Sequence, residues 1–177
     1  MKVLIFDTET TGLPPRIQEG KNLRDYLEVW PYLMQLTFII YDIENMKVDK
    51  IYNKYIDIPH TEIEKIQSEI IKNQQAIILN KELLKSGYNK DAFKNIKKAE
   101  KTISILSENI KRWSNPQNEK VSIRQANHEF FSELEKVDLL VAHNIMFDYK
   151  MMIATALRDS INQEKNIMLL DTMNKQD

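Results

Sequence analysis

No cysteine occurs among the 177 residues, which removes disulfides, thiolate metal sites and thiol nucleophiles together. An excess of either charge is also missing. With 25 basic and 26 acidic residues, no global field draws the chain onto nucleic acid, and any such contact has to be local. No apolar stretch approaches the roughly 18 residues of a membrane span, and the N-terminus runs into a strand-like segment without a charged leader and cleavage site. The expectation is a soluble, intracellular protein that makes no membrane contact. Glycine is scarce, at three residues, so the few breakers that occur carry information. The length suits one domain with a proper core and is short for two.

What the chain does have is the run Phe6-Asp7-Thr8-Glu9-Thr10-Thr11-Gly12-Leu13, directly after the apolar Val3-Leu4-Ile5. Two residues apart in a strand, Asp7 and Glu9 point to the same face. Two acids held side by side repel unless a cation or a proton lies between them. A hard divalent ion is the natural third party, because Mg²⁺ prefers carboxylate oxygens and commonly combines one or two of them with substrate phosphates. The pattern points to phosphoryl-transfer chemistry.

Residues 14–30 are polar and irregular, broken by Pro14-Pro15 and Gly20, with a helical turn expected around Leu23 to Val29. Leu33 to Ile43 and Lys47 to Ile58 read as the strands of a hairpin turned at Glu44-Asn45-Met46. From Pro59 the period becomes helical. Ile63, Ile66, Ile70, Ile77 and Leu84 recur along one helix, and Ala92, Ile96, Ala99, Ile103, Leu106, Ile110 and Trp113 along a second. Gly87 is expected to end the first and Asn89 to cap the second, giving an αα-hairpin over residues 60–113. Asn73 and Asn80 fall at its seam, and Lys90, Lys94, Lys97 and Lys101 share one outer face, either a solvated surface or a phosphate contact. After the break Asn115-Pro116-Gln117-Asn118, the spacing predicts a helix from Ser122 to Lys136 with Ile123, Ala126, Phe130, Phe131 and Leu134 inward. A buried strand Leu139–Ala142, a helix Met146–Arg158 and a strand Ile167–Leu170 complete the chain. This order predicts an α/β fold with a mixed sheet flanked by helices.

His143-Asn144-Ile145-Met146-Phe147-Asp148 follows the buried strand, so Asp148 enters a helix at the carboxyl edge of the sheet, where open α/β sheets bind ligands. If the strands holding Ile5 and Val141 are neighbours, Asp148 can close over Asp7 and Glu9. Taken together, the Asp7-to-Leu13 run resembles the first motif, and His143-Asn144-x-x-Phe147-Asp148 the second, of the DEDD superfamily of 3′-to-5′ exonucleases, which includes proofreading subunits and ribonuclease T. Pro31-x-x-x-Gln35 and Leu170-Asp171-Thr172 are similar to further family positions, and the Thr-Thr-Gly-Leu tail and His-Asn start resemble the His (DEDDh) form. The resemblance spans residues 1–58 and 122–173, which makes the helical hairpin look like an insertion within one exonuclease domain.

The resemblance implies a ribonuclease H-like fold and metal-dependent hydrolysis of the 3′-terminal phosphodiester, with two Mg²⁺ or Mn²⁺ ions in a complete site. It implies that Asp7 bridges both ions, Glu9 binds the first, and Asp148 holds the second, mostly through water. Thr10, Leu13, Asn144 and Phe147 would seat the terminal nucleotide of a single-stranded or frayed end, DNA being favoured over RNA. His143 would shape the site through hydrogen bonds. The family's third motif, an aspartate preceded by a His or Tyr, has no match: only Asp159, Asp171 and Asp177 follow Asp148, with no His or Tyr beyond Tyr149. The expectation is a C-terminally truncated or degenerate domain, weakly active or inactive as an isolated chain, since losing a general base alone costs about 10² to 10⁴ in rate. A reading of another class stands beside it: a non-catalytic module that binds nucleic acid or protein, with the hairpin as the surface for a polymerase or other partner.

Overall fold

A computed structural model of the chain describes residues 1–87, 91–161 and 167–173. In chain order the strands are β1 (Lys2–Thr10), β2 (Leu33–Asp42), β3 (Lys47–Ile56), β4 (Lys120–Val121), β5 (Leu139–Ala142) and β6 (Met168–Asp171). The helices are α1 (His60–Lys85), α2 (Ala92–Ser114), α3 (Ile123–Leu134) and α4 (Ile145–Arg158), with a 3-10 turn at Leu23–Tyr26. The chain divides into two compact units, Met1–Ile58 with Gln117–Asp177, and Pro59–Pro116. The expected cap at Asn89, and Lys90 of the lysine face, lie outside the described residues.

The first unit is built on a six-stranded sheet of order β4-β3-β2-β1-β5-β6. β1, β2 and β3 are antiparallel neighbours, while β5 runs parallel to both β1 and β6. Ile5 pairs with Val141, so the two motif-bearing strands do lie side by side. The β2–β3 turn is closed by Asp42, whose carboxylate accepts from the backbone N–H groups of Glu44 and Asn45 and from the Asn45 amide. β4 was not legible in advance: two residues add to the edge of β3, held by Asp57 N–H to the Val121 carbonyl at 2.8 Å.

The two faces of this sheet differ. Leu4, Phe6, Leu36, Phe38, Tyr52 and Leu140 are buried on the face that meets α3 and α4. There Phe130 of α3 lies 5.1 Å from the Phe6 ring and edge-on to Phe38. Ser122 caps α3 by accepting from the Gln125 N–H, and Ala126, Phe130, Phe131 and Leu134 turn inward as their spacing predicts. The opposite face carries an apolar row straight across five strands, Ile51-Ile39-Ile5-Val141-Leu170. This row stays open to solvent at Ile51 (68% exposed), Leu170 (50%) and Ile5 (43%). On β2 the covered face carries Met34, Leu36, Phe38 and Ile40, whereas the open face mixes Gln35, Thr37 and Tyr41 with Leu33 and Ile39.

In the second unit α1 and α2 pack against each other along the expected seam. Ala92, Ile96, Ala99 and Leu106 are buried on α2, and Ile63 and Ile66 on α1. Asn73 and Asn80 satisfy their amides on α1 itself, donating to the carbonyls of Glu69 and Ala76. Gly87 takes φ +75° just past the end of α1, a conformation that Gly adopts without strain.

Candidate active site

Asp7 and Glu9 sit on the open face, next along β1 from Ile5, and pair with Thr37 and Gln35 of β2. Asp7 is exposed and Glu9 half-buried. Among the described residues Asp7 has no basic partner in an ion pair. Thr8 lies between them and points to the covered face, where it is buried. Its hydroxyl donates to Asp148 Oδ1 at 2.5 Å and its backbone N–H to the same oxygen at 3.1 Å. Thr8 therefore ties the first turn of α4 to the strand that carries the acidic pair.

Asp148 is 3% exposed. Burial pushes its carboxyl up to about 6; the Thr8 hydroxyl works against that rise, and the charge of Asp7 adds to it. The charge of Asp7 is thus felt at Asp148, although Thr8, which holds Asp148, points to the covered face and Asp7 and Glu9 to the open one. The chemistry of the three carboxylates fits a hard divalent cation: the donors are all oxygen, and among the described residues the buried acid has no ion-pair partner. Their spacing is another matter, because among the described residues no three acidic or histidine side chains stand close enough together to hold a metal ion.

The turn before α4 is shaped by Asn144 at φ +62°, a left-handed conformation that Asn tolerates better than most residues. Its N–H donates to Asp171 Oδ1 at 3.0 Å, so the end of β6 fixes the entry to the helix. His143 is exposed, and its Nδ1 lies 3.4 Å from the Thr172 hydroxyl. Thr10 donates to the Gly12 carbonyl at 2.7 Å, and Leu13 is 86% exposed. Phe147 packs against the cluster of Trp30, Met151 and Ala154, under the loop that carries Ile17, Leu23, Tyr26 and Leu27. Leu13 is accordingly open to a ligand, whereas Phe147 also serves a small core of its own.

Two contributors were missed in the sequence. Thr8 was hidden by strand parity, which puts it opposite the acids it supports. Arg158 was hidden because its partners are carbonyls: it donates to Pro31 at 2.8 Å, to Leu27 at 2.7 Å and to Trp30, and stacks 4.0 Å above the Tyr32 ring. Tyr32 and Thr11 in turn exchange two 2.9 Å hydrogen bonds, so Arg158 clips the loop beside the acidic strand to α4.

No protein-family model and no curated protein sequence matches this chain. Among solved structures, Escherichia coli exonuclease I in complex with a dT13 oligonucleotide aligns over 96% of this chain and 27% of that chain, with TM-score 0.50 and 12% identity. The fold is that of the ribonuclease H-like exonucleases. A second structure, the nuclease domain of 3′hExo, a DEDDh family member bound to rAMP, covers 91% of this chain and 60% of that one, with TM-score 0.38 and 7% identity. This chain thus spans about a quarter of the length of exonuclease I. Within the ribonuclease H-like exonuclease fold, Asp7 and Glu9 occupy the carboxyl end of the central strand and Asp148 the start of the helix after its parallel neighbour.

Proposed function

We propose that this chain is a metal-dependent 3′-to-5′ exonuclease domain of the DEDDh type, acting on single-stranded or frayed ends, with DNA favoured over RNA. The observation that carries the reading is the trio Asp7, Glu9 and Asp148 at one end of the sheet, with the charge of Asp7 felt at the buried Asp148. Such a trio costs stability unless a cation uses it. Asp7 and Glu9 would hold Mg²⁺ or Mn²⁺ and Asp148 would complete a two-ion site. A bound ion there supplies Lewis acidity toward the scissile phosphate and a more acidic attacking water.

The protein's own groups do the positioning. Leu13 offers an exposed apolar surface for the terminal base, a contact that tolerates any sequence. Thr10 at the end of β1 and Asn144 before α4 would seat the terminal sugar and phosphate, together with Phe147. His143 stands at the open end of β5, held near Thr172. Because these 177 residues offer three acids and no third-motif aspartate with its base, turnover by this chain alone is expected to be weak. The test is a 3′-labelled single strand with Mg²⁺ or Mn²⁺: slow stepwise loss from the 3′ end, abolished by Asp7→Asn, is expected. Loss from the 5′ end, or activity that survives Asp7→Asn, would overturn the reading.

That no three acidic or histidine side chains among the described residues are grouped to hold a metal ion favours a second reading, a non-catalytic nucleic-acid or protein-binding module. Calorimetric titration with Mn²⁺ separates the two: ion binding that Glu9→Gln weakens belongs to the nuclease, and no binding belongs to the module.

A further inference from the structure

Charge is unevenly spread over the two long helices. α1 carries four acidic and four basic residues, whereas α2 carries six basic residues against Glu100 and Glu108. Lys94, Lys97, Lys98 and Lys101 fall within an arc of about 100° on the side opposite the buried seam. All four are exposed, and among the described residues none has a carboxylate partner. Lys50, Lys54, Lys65 and Lys136 each reach a glutamate, whereas Lys72 and Lys81 of α1 form no ion pair among the described residues either, so what sets the α2 arc apart is its density of like charge beside a ring. Next to the arc stands Phe93, 58% exposed, with Lys97 Nζ 4.6 Å from its ring centre.

A purely solvated helix face needs the charges but gains little from an aromatic ring that is more than half exposed, even with Lys97 over it, because the exposed apolar surface costs free energy in water. Unpaired ammonium groups beside an exposed ring are what a single-stranded nucleic acid uses, phosphates on the cations and a base on the ring. An acidic peptide would use the lysines and leave Phe93 idle. We propose that the outer face of α2 binds single-stranded nucleic acid, with phosphates on Lys94, Lys97, Lys98 and Lys101 and a base stacked on Phe93. The choice of polymer rests on the exonuclease reading, but the surface is separate from the acidic site. It gives the near-neutral chain the local basic contact that its net charge does not provide.

The test uses the full chain in EDTA, so that nothing is cleaved, and follows the fluorescence anisotropy of a labelled oligothymidylate across a salt series. Lys94→Gln/Lys97→Gln/Lys101→Gln should bind at least about tenfold more weakly, with a log–log salt slope shallower by roughly 2, three contacts at about 0.7 each. Phe93→Ala should weaken binding roughly fivefold or more while leaving the slope unchanged. Lys72→Gln/Lys81→Gln on α1 should change neither, and circular dichroism should show equal helix content in all variants. Binding and slope unaltered in the triple variant, equal losses in the α1 variant, no binding by the unaltered chain, or equally effective displacement by polyglutamate would each overturn the proposal. Cleavage with Mg²⁺ alongside unaltered binding in the lysine variants would remove this surface and leave the exonuclease reading standing. Binding through α2 without any cleavage would do the reverse.

Discussion

Asp148 brings a carboxylate into a buried position where Thr8 donates two hydrogen bonds to it and Asp7 supplies repulsion. Burying a charge without a cation costs stability, and each pKa unit of rise corresponds to about 1.4 kcal/mol between the protonation states. Asp148→Asn removes the charge and keeps an oxygen that accepts from Thr8. In EDTA at neutral pH the variant should therefore be more stable by on the order of 1–2 kcal/mol in urea denaturation, while metal-dependent turnover disappears. A less stable variant would mean that the carboxylate is a structural acceptor and not a strained functional group. Thr8 shows why sequence reading stops short here: its partner lies 140 residues away, and nothing in a Thr between two acids announces the contact.

At the scale of elements, α3 is fastened to β3 by more than its aromatic face. Lys50 Nζ lies 2.8 Å from both Glu129 and Glu133, and 5.7 Å from the Phe38 ring centre. The hydrogen bond from Lys50 lowers the Glu133 carboxyl below its ordinary value near 4.5, against the opposing effect of burial. Burial lowers Lys50 in turn, but the two glutamates outweigh it and hold it above its ordinary 10.5. A depressed acid contributes stability above its unfolded value that is lost as pH falls through the folded one, and a raised lysine contributes stability that is lost as pH rises through its folded value. The cluster should thus act from about pH 5 to 10. Because about a third of each of Lys50 and Glu129 is exposed, Lys50→Gln should cost only about 1 kcal/mol at pH 7. The difference from the unaltered chain should vanish near pH 3 in urea titrations, and a difference independent of pH would show that the lysine acts through packing alone. This ion-pair bridge was invisible in the sequence because its ends are 79 and 83 residues apart. The strand and helix it joins were legible, since Lys47 to Ile58 reads as a strand by alternation and Ser122 to Lys136 as a helix by apolar period, within a few residues of β3 and α3. β4 was not, because two residues are too few to carry a period.

For the whole molecule, the question is whether the sheet unit needs the helical hairpin in order to fold. Its own core is closed by α3 and α4 on one face, and both motif strands, β1 and β5, lie within it. The chain leaves this unit after Ile58 and returns at Gln117, and the two ends are already registered. Tyr55 N–H donates to the Glu119 carbonyl at 3.2 Å, and Asp57 N–H to the Val121 carbonyl at 2.8 Å. Those bonds bring the exit and the return within a few residues of each other. A short Gly/Ser linker can therefore replace residues 59–116 at little loop-closure cost, because closure entropy depends only logarithmically on length. The shortened protein should unfold cooperatively, with a melting temperature within a few degrees of the full chain, and should keep Mn²⁺ binding by Asp7 and Glu9. It should also lose the salt-dependent part of oligothymidylate binding that α2 supplies. Loss of cooperative unfolding would mean that the hairpin belongs to the core of the domain. Retention of the full salt slope would mean that the phosphate contacts are made by the sheet unit, whose carboxylates would then need a bound cation to tolerate them.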